Sequence, residues 1–445
     1  MSDESKVRSE SKLGANYWRL WSAHATSNLG DGISTVAFPW LASAVTRDPF
    51  LIALIAVMSR LPWLVFTLPA GVITDRLDRK KIIVAMNVTQ GFLALALSVA
   101  IWFERDSLPD LKNITSSSVF ETNYILYWAL VMTSLLFGFT EVLRDNAAQT
   151  FLPSVVAKEK LESANGKLWS AEYVMNSFIG PPLGSFLLGV AVYLPFFIHS
   201  STFFIAAALI ALVVTAFKVS EPQEPKKRLS FREEIKEGFQ WLWSHELLRP
   251  MAIILGLLNL VGALTAATFI LFAQEILNTS VFEFAILGTA GAVGGTLGGV
   301  LGPKISKKLG SGPSLYLTLL TMPIMSLVIG LTSNWYLVWF MIAGTTIFAV
   351  LWNVITVSLR QSIIPTELLG RVNSVYRFFA WGSIPIGTLI GGAIVSVTEL
   401  LGDRDFALRA PYFVSLVLGL VIFIFAAPRL TTEKIEGARA GIGHL

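Results

Sequence analysis

The sequence contains no cysteine. Disulfide bonds, thiolate metal sites and cysteine nucleophiles are therefore excluded. Only four histidines are present and none stands at the spacing of a helical metal-binding pair, so we expect no metal site and no cofactor. They are His24, His199, His245 and His444. The chain also lacks a GxxxxGK[ST] phosphate loop. Any pumping must therefore draw on an ion gradient or on another protein.

Charge is scarce as well, since only 14% of the residues are charged and 54% are hydrophobic. This leaves too little polar surface for a soluble domain and places the chain in lipid. An apolar stretch of about 20 residues crosses a bilayer, and the sequence accommodates twelve such spans. They cover residues 18–45, 50–74, 80–103, 123–143, 166–190, 194–217, 250–275, 281–302, 313–332, 335–358, 371–398 and 410–428.

The loop charges predict the topology. An even number of spans puts both termini on one side, and most of the 34 lysines and arginines fall in the tail and loops of that side. The positive-inside rule then makes both termini cytoplasmic. The net charge of +4 is thus a signal of topology and not of nucleic-acid binding. The polar first 17 residues and the lack of a cleavage site predict an uncleaved, multi-pass protein of the cell membrane.

Two short segments recur in the second half of the chain. GVITDRLDRKK at residues 71–81 returns weakened as GVLGPKISKKL at 299–309, and QTFLP at 149–153 returns as QSIIP at 361–365. Such internal duplication is typical of transporters built from repeats. We therefore predict two six-helix bundles at 18–217 and 250–428, joined by a cytoplasmic linker at 218–249 and flanked by cytoplasmic tails at 1–17 and 429–445. In the linker, residues 231–242 favour an amphipathic helix along the membrane surface, the alternative being a solvated connection.

Three motifs resemble one known family. GVITDRLDRKK is similar to the loop that the major facilitator superfamily carries between its second and third helices. The segments RDNAAQTFLPSVVAKEKLESANG (144–166) and RQSIIPTELLGRVNSVYR (360–377) resemble the branch that contains enterobactin exporters and macrolide efflux pumps. The resemblance implies an all-α membrane protein, with twelve transmembrane helices in two pseudo-symmetric six-helix bundles.

The same resemblance implies a secondary transporter and not an enzyme. The expected activity is export of an amphipathic small molecule, such as a siderophore, a macrolide-like compound or a drug, by proton antiport and alternating access. Its partners would be this cargo, protons and the lipid bilayer, and the protein would be a monomer. Two alternatives remain open: uptake or lipid transport on the same fold, and a sensor or scaffold that does not transport.

The charged run after the second span predicts a conformational latch. Gly71 lacks a Cβ atom, so the second helix can approach a neighbour there. Asp75 is expected at the cytoplasmic face, where the N-terminus of the eleventh helix, beside Arg371, would stabilise its charge. The second-half copy has Pro303 at this place, so the latch is one-sided. Alternatively the run only supplies positive charge to a cytoplasmic loop. The latch residues are Gly71, Asp75, Arg76 and Arg79.

Ionisable residues inside the spans are costly in lipid and need a partner or water. Asp31 lies within the first span and Arg60 within the second. Counted from the turn between these spans, the two residues differ in depth by roughly 7 Å, at about 1.5 Å per residue. We therefore expect an intramembrane Asp31–Arg60 pair that protonation of Asp31 would release. The alternative is a permanent structural ion pair.

Further charges cluster near the inner ends of the fourth and fifth spans. Glu141 and Arg144 are three residues apart and share a helix face, with Asp145 beside them. Glu172 lies in the cytoplasmic half of the fifth span. These residues are candidates for an inner gate or for a proton path, and Arg377 is expected to join the gate from the second half.

Small residues mark sites of close helix packing. The fifth span carries GPPLG at 180–184, the eighth GTAGAVGGTLGGV at 288–300, and the eleventh PIGTLIGG at 385–392. GPPLG is also similar to a fifth-helix motif associated with export in antiporters of the superfamily.

Aromatic and amide residues in the spans form a pool of candidate cargo contacts. They suit a bulky, partly apolar molecule, although each aromatic could instead serve in packing or at the lipid interface. The pool consists of Asn28, Trp63, Trp169, Tyr173, Asn176, Asn259, Trp352, Asn353, Tyr376 and Trp381.

Overall fold

The computed structural model describes residues 13–109, 120–157, 160–214, 231–365 and 368–439. Within these ranges the regular structure is entirely helical. The helices are α1 (Ala15–Val45), α2 (Pro49–Val65), α3 (Thr67–Arg76), α4 (Arg79–Glu104), α5 (Tyr124–Phe151), α6 (Leu161–Glu172), α7 (Gly180–Val190), α8 (Leu194–Ala211), α9 (Phe231–Ser244), α10 (Leu248–Ala266), α11 (Phe269–Glu275), α12 (Val281–Leu309), α13 (Ser311–Leu331), α14 (Trp335–Ile363), α15 (Leu369–Leu401), α16 (Arg404–Ala426) and α17 (Thr432–Arg439). A π-helical segment, Tyr173–Ile179, joins α6 to α7.

In the described part of the chain, nine helices are long and apolar enough to cross a membrane. They run Arg79–Ser107, Tyr124–Ser154, Leu194–Ala211, Leu248–Glu275, Val281–Leu309, Ser311–Leu331, Trp335–Ile363, Arg371–Leu401 and Arg404–Arg429. The protein is therefore a multi-pass membrane protein.

The other three predicted spans are helical too, and each departs from a regular apolar helix. The first span coincides with α1, which is 31 residues long and carries polar residues along one face. The second is interrupted at Phe66, between α2 and α3. The fifth contains the π-helical segment. These departures explain why twelve apolar stretches in the sequence correspond to nine long apolar helices.

The described residues form two compact units. The first contains residues up to 41, 65–109 and 123–214, and the second contains 42–64, 120–122 and the described residues from 231 to 439. The end of α1 and α2 as far as Leu64 thus group with the later helices. One reason is that α2 packs closely on α15, where a Cβ atom built on Gly392 would lie 2.4 Å from the Cβ of Ala53.

The core of the first unit joins the ends of α1, α4, α5 and α8. Tyr17 on α1 is 1% exposed, and its hydroxyl donates to the carbonyl of Ala164 at 3.0 Å. The GPPLG motif brings α7 against α1, because a Cβ atom on Gly180 would lie only 2.5 Å from the Cα of Gly32. This contact holds the backbone beside Asp31 in place.

The second unit is held together by similarly close contacts between helices and by a larger buried core. A Cβ atom on Gly391, in the PIGTLIGG motif, would lie 2.0 Å from the carbonyl oxygen of Leu264, so α15 and α10 touch backbone to backbone. Trp352 and Tyr376 lie in the core, 2% and 0% exposed. Close packing at both motifs agrees with the sequence prediction.

The predicted linker helix exists as α9, but its apolar face packs on protein. Leu242 is buried, Trp243 stacks on Phe379 at 6.1 Å, and Glu237 forms an ion pair with Arg371. Phe239 and Trp243 of this helix remain 39% and 41% exposed, and its placement along the membrane surface stays a prediction. The rest of the predicted linker, up to residue 230, lies outside the described residues.

Candidate functional site

The carboxylate of Asp31 lies in a charged cluster of the first unit. Its Oδ2 is 3.4 Å from Nη2 of Arg144 on α5, and its Oδ1 is 3.6 Å from Nε2 of His199 on α8. The side chain of Asp31 is 29% exposed. The structure thus gives Asp31 other partners than the predicted Arg60, which is exposed on α2 in the second unit. The depth argument compared neighbours in sequence, whereas packing of α5 and α8 supplies the partners.

Arg144 is the centre of this cluster. Its side chain is 11% exposed, its Nη1 donates to Oε1 of Gln90 at 3.1 Å, and its Nε donates to Oδ1 of Asp145 at 3.3 Å. The guanidinium also lies 5.4 Å from the ring centre of Phe203. Glu141 lies one turn earlier on α5. The predicted grouping of charges on this helix is therefore present, and it is built around Asp31.

His199 is 2% exposed and connects Asp31 to a hydroxyl. Oγ of Ser34 lies 2.7 Å from Nδ1 of His199 and 3.1 Å from the carbonyl oxygen of Gly30. The hydroxyl either donates to Nδ1 or accepts from it, according to the tautomer of His199. In the tautomer with the proton on Nδ1, Ser34 donates to Gly30. Nε2 then presents a lone pair toward Asp31, so one additional proton can sit between imidazole and carboxylate.

A row of polar side chains continues from Asp31 along α1. His24, Asn28 and Asp31 share a helix face because they are spaced four and three residues apart. Nδ2 of Asn28 donates to the carbonyl of His24 at 2.9 Å, and Nε2 of His24 lies 3.5 Å from Oε2 of Glu172. Glu172 directly precedes the π-helical segment, a distortion that often marks functional positions. The row leads from Asp31 toward the N-terminal end of α1.

The second unit contains a different ion cluster around Glu275, at the end of α11. Glu275 is 2% exposed in its side chain and accepts from Nε of Arg404 at 2.6 Å and from its Nη2 at 2.9 Å. Arg47 pairs with the same carboxylate and donates to Gln274 at 2.6 Å. Burial lowers the pKa of Arg47, and the charge of Glu275 opposes this shift. We call this group the Glu275 clamp.

Two of the predicted latch residues have described side chains in the first unit. Among described atoms, none would lie within 4 Å of a Cβ on Gly71, so no close helix approach requires this glycine. Arg79 donates to the carbonyl of Thr150 at 3.0 Å. The side chains of Asp75 and Arg76 lie outside what the structure describes, and their latch role stays a prediction.

The two predicted gate arginines of α15 have other contacts in the second unit. Arg371 pairs with Glu237 of α9. The guanidinium of Arg377 lies 5.6 Å from the ring centre of Trp381, one turn further along the helix. Their contribution to a gate stays a prediction.

The predicted cargo contacts fall into two groups. Trp352 and Tyr376 are in the core of the second unit, and Asn259 donates to the carbonyl of Ala380 at 2.6 Å, so these side chains serve packing here. The first two were expected to line a cavity because aromatic type alone does not show which helix face is buried. The more accessible members are Trp169, Tyr173, Asn353 and Trp381, which are exposed, and Trp63 and Asn176, which are half-buried.

Sequence reasoning missed four members of the Asp31 cluster: His24, Ser34, Gln90 and His199. His24 could have been found, since it lies seven residues before Asp31 on the same helix face. Gln90 and His199 are 59 and 168 residues away from Asp31 and carry no local signal. Only the packing of α4 and α8 brings them to the carboxylate.

The family model of the Major Facilitator Superfamily matches residues 20–388, which is most of the chain. The chain belongs to this superfamily. It is therefore a membrane transporter by family, and the helical fold described above agrees with that assignment.

Relatives in the superfamily include named efflux proteins. The chain is 23% identical over 387 residues to the multidrug efflux pump Tap of Mycolicibacterium fortuitum, covering 85% of this chain and 88% of Tap. It is 22% identical over 397 residues to the enterobactin exporter EntS of Shigella boydii, covering 88% and 87%. A solved structure of a bacterial homologue of the iron transporter ferroportin, in an inward-facing state, matches with a TM-score of 0.69 at 16% identity, covering 94% of this chain and 99% of that one. At 16% identity, the similarity to the ferroportin homologue is evidence for the fold alone.

Proposed function

We propose that this protein exports an amphipathic small molecule in exchange for protons, by alternating access through twelve helices in two six-helix bundles. Membership of the Major Facilitator Superfamily supports transport. The relatives Tap and EntS, named as an efflux pump and an exporter and aligned over more than four-fifths of the chain, support the outward direction. A drug, a macrolide-like compound or a siderophore is the corresponding class of cargo.

The pairing of Asp31 with His199 is the observation that carries proton coupling. Nε2 of His199 and Oδ1 of Asp31 lie 3.6 Å apart, and in the tautomer with the proton on Nδ1 this leaves a place for one proton between two acceptors. Asp31 is also 29% exposed, so water can deliver the proton. Protonation neutralises Asp31 and removes its attraction for Arg144. Arg144 is then free to strengthen its pairing with Asp145, which changes how α1 and α5 are held together.

The polar row on α1 is the proposed proton route. His24 and Asp31 are seven residues apart, about 10 Å along the helix at about 1.5 Å per residue. Asn28 lies between them, and Glu172 faces His24. Protons released from Asp31 would pass along this row toward the end of α1 where the N-terminal tail begins. We place both termini in the cytoplasm and the protein in the cell membrane. This end of α1 therefore lies at the inner side of the membrane.

Alternating access also requires contacts that break and re-form. The sequence-based latch at Asp75, with Arg76 and Arg79, remains our proposal for the cytoplasmic side. Within the second unit, ion pairs stand at both ends of α15: Arg371 with Glu237 near its start, and Glu399 with Arg404 at its end. We propose that the first of these pairs changes during transport and that the Glu275 clamp at the other end stays closed.

Transport in proteoliposomes under an imposed pH gradient tests this function. The probes are three fluorescent amphipathic dyes of different charge: fluorescein, Nile red and rhodamine 6G. We expect the unaltered protein to move at least one dye against proton flow, and Asp31→Asn to abolish the dependence on the gradient. The amide cannot take up the coupling proton, although it keeps the size of the carboxyl group.

Asp106→Asn is the matched control, because Asp106 is an aspartate of the first unit that is 89% exposed in its side chain. It should transport at the unaltered rate. If Asp31→Asn still moves dye in proportion to the pH gradient, Asp31 is not the coupling group. If no dye moves in the unaltered protein, the export proposal fails for this class of cargo.

A further inference from the structure

Two arginines of the second unit lie within apolar helices with their charge uncompensated. They are Arg60 on α2 and Arg377 on α15. Within the residues that the structure describes, neither guanidinium forms a hydrogen bond or an ion pair with a carboxylate. An arginine in such a segment is costly when it faces hydrocarbon, and it usually faces water, a partner or a ligand.

Each of these arginines lies one turn from a tryptophan. Arg60 and Trp63 are three residues apart, and Arg377 and Trp381 are four residues apart, so each pair shares a helix face. The indole rings of Trp63 and Trp381 meet at 6.0 Å between centroids with their planes 35° apart. The side chain of Leu64 also reaches α15, 3.0 Å from the position of a Cβ on Gly382. Ala53 lies against Gly392 and Leu64 against Gly382, so α2 and α15 are antiparallel and Arg60 and Arg377 flank the tryptophan pair from opposite sides.

On α2 and α15 themselves the charge beside the tryptophans is positive. α2 contains no acidic residue, and Glu399, the acidic residue of α15, is bound to Arg404. Arg371 is satisfied by Glu237. Thus no carboxylate of α2 or α15 compensates Arg60 or Arg377.

We infer that Arg60, Trp63, Arg377 and Trp381 form a binding site for the anionic aromatic part of a small molecule. Trp381 is 46% exposed and offers its indole for stacking of a planar ring. A carboxylate, sulfonate or phenolate on that ring would pair with the guanidinium groups, which prefer such planar anions. This inference rests on the proposed export of an amphipathic cargo, and it narrows the cargo to molecules that carry a negatively charged aromatic group.

Isothermal titration calorimetry on the full-length protein in nanodiscs tests the site. The probes are naphthoate, its methyl ester and naphthylmethylammonium, which present the same ring with negative, zero and positive charge. We expect naphthoate to bind most tightly. Arg377→Gln and Arg60→Gln should each weaken its binding about tenfold, the effect of losing one hydrogen bond to a charged group. Arg377→Lys should keep part of the affinity, and Trp381→Ala should weaken all three probes.

Arg249→Gln is the matched control, because Arg249 also lies near a tryptophan of the same unit, 5.9 Å from the ring of Trp243, but belongs to α10 and not to α2 or α15. Its naphthoate affinity should stay within about twofold, since it removes no contact to the ligand. Equal binding of the three probes, or an equal loss in Arg249→Gln, would overturn the inference. Thermal melting of each variant identifies losses that come from unfolding.

A second comparison separates a cargo site from a lipid headgroup site. Naphthoate binding should be the same in nanodiscs of phosphatidylcholine alone and in nanodiscs that also contain phosphatidylglycerol. If the anionic lipid abolishes binding, the arginines are occupied by lipid phosphate and the inference is wrong. The titration needs no pH gradient, so it tests the site separately from transport. If the unaltered protein binds naphthoate but moves no dye, the export proposal fails and the binding site stands.

Discussion

Asp31 in the first unit and Glu275 in the second both lie beside arginines, and they differ in how tightly they are held. Asp31 is 29% exposed, with its charged partners at 3.4 and 3.6 Å. Glu275 is 2% exposed, with Arg404 at 2.6 and 2.9 Å and Arg47 on the same carboxylate. A loosely held, accessible carboxylate can gain and lose a proton during a cycle. A fully enclosed one, which accepts from three nitrogens of two guanidinium groups, is better suited to joining helices permanently.

Neutralising the enclosed carboxylate should have the largest effect on stability. Glu275→Gln leaves Arg47 and Arg404 partly buried without their shared counter-charge, and breaking a buried pair in this way costs about 3–5 kcal/mol. Thermal unfolding of the purified protein in detergent measures the loss. Glu399→Gln is the control, because Glu399 contacts the same Arg404 but is 34% exposed, and its loss should cost less than about 1 kcal/mol. Equal losses in the two variants would show that enclosure is not what matters.

Removing the cation of the first cluster should have an intermediate effect. Arg144→Gln takes away hydrogen bonds to Gln90, Asp31 and Asp145 and costs about 1–3 kcal/mol. The double variant with Asp31→Asn should be more stable than the sum of the single losses predicts, since the uncompensated charge is then gone. Strict additivity in thermal unfolding would contradict a direct coupling of the two residues.

Neutralising the accessible carboxylate should cost little stability. Asp31→Asn is expected to lower the free energy of unfolding by about 1 kcal/mol or less, since the pair is partly exposed and Arg144 keeps Asp145 and Gln90. The same variant should lose gradient-driven transport, so stability and function separate at this residue. A loss of stability as large as that of Glu275→Gln would make Asp31 a structural residue and remove the contrast between the clusters.

The smallest effect on stability is expected at the far end of the polar row. His24→Gln should change the free energy of unfolding by no more than about 0.5 kcal/mol, because His24 is partly exposed and its partner Glu172 is 41% exposed in its side chain. It should nevertheless slow proton release, measured in stopped-flow experiments with a pH-sensitive dye. An unchanged rate would mean that protons reach Asp31 by another route, and Ser22→Ala on the same helix serves as the reference variant.

Most of the fold could be read from composition and local pattern. Apolar stretches placed the helices within a few residues, and the GPPLG and PIGTLIGG motifs marked real backbone contacts, because glycine is needed wherever two helices touch. Asp31 was singled out because a lone carboxylate in an apolar span requires a partner. The failures share one cause: Arg60 was chosen as that partner, and Trp352 was placed in a cavity, from distances along the chain or from residue type.

By itself, the sequence determined that this is a helical membrane protein and that Asp31, within an apolar span, needs compensation. Hydrophobicity and helix periodicity depend on residues that are close in the chain, so they can be read from the sequence without a structure. The tertiary structure alone decided that Arg144 and His199 provide this compensation and that Arg60 and Arg377 are left beside two tryptophans. Such choices depend on which helix faces meet, and that is set by the packing of segments more than a hundred residues apart.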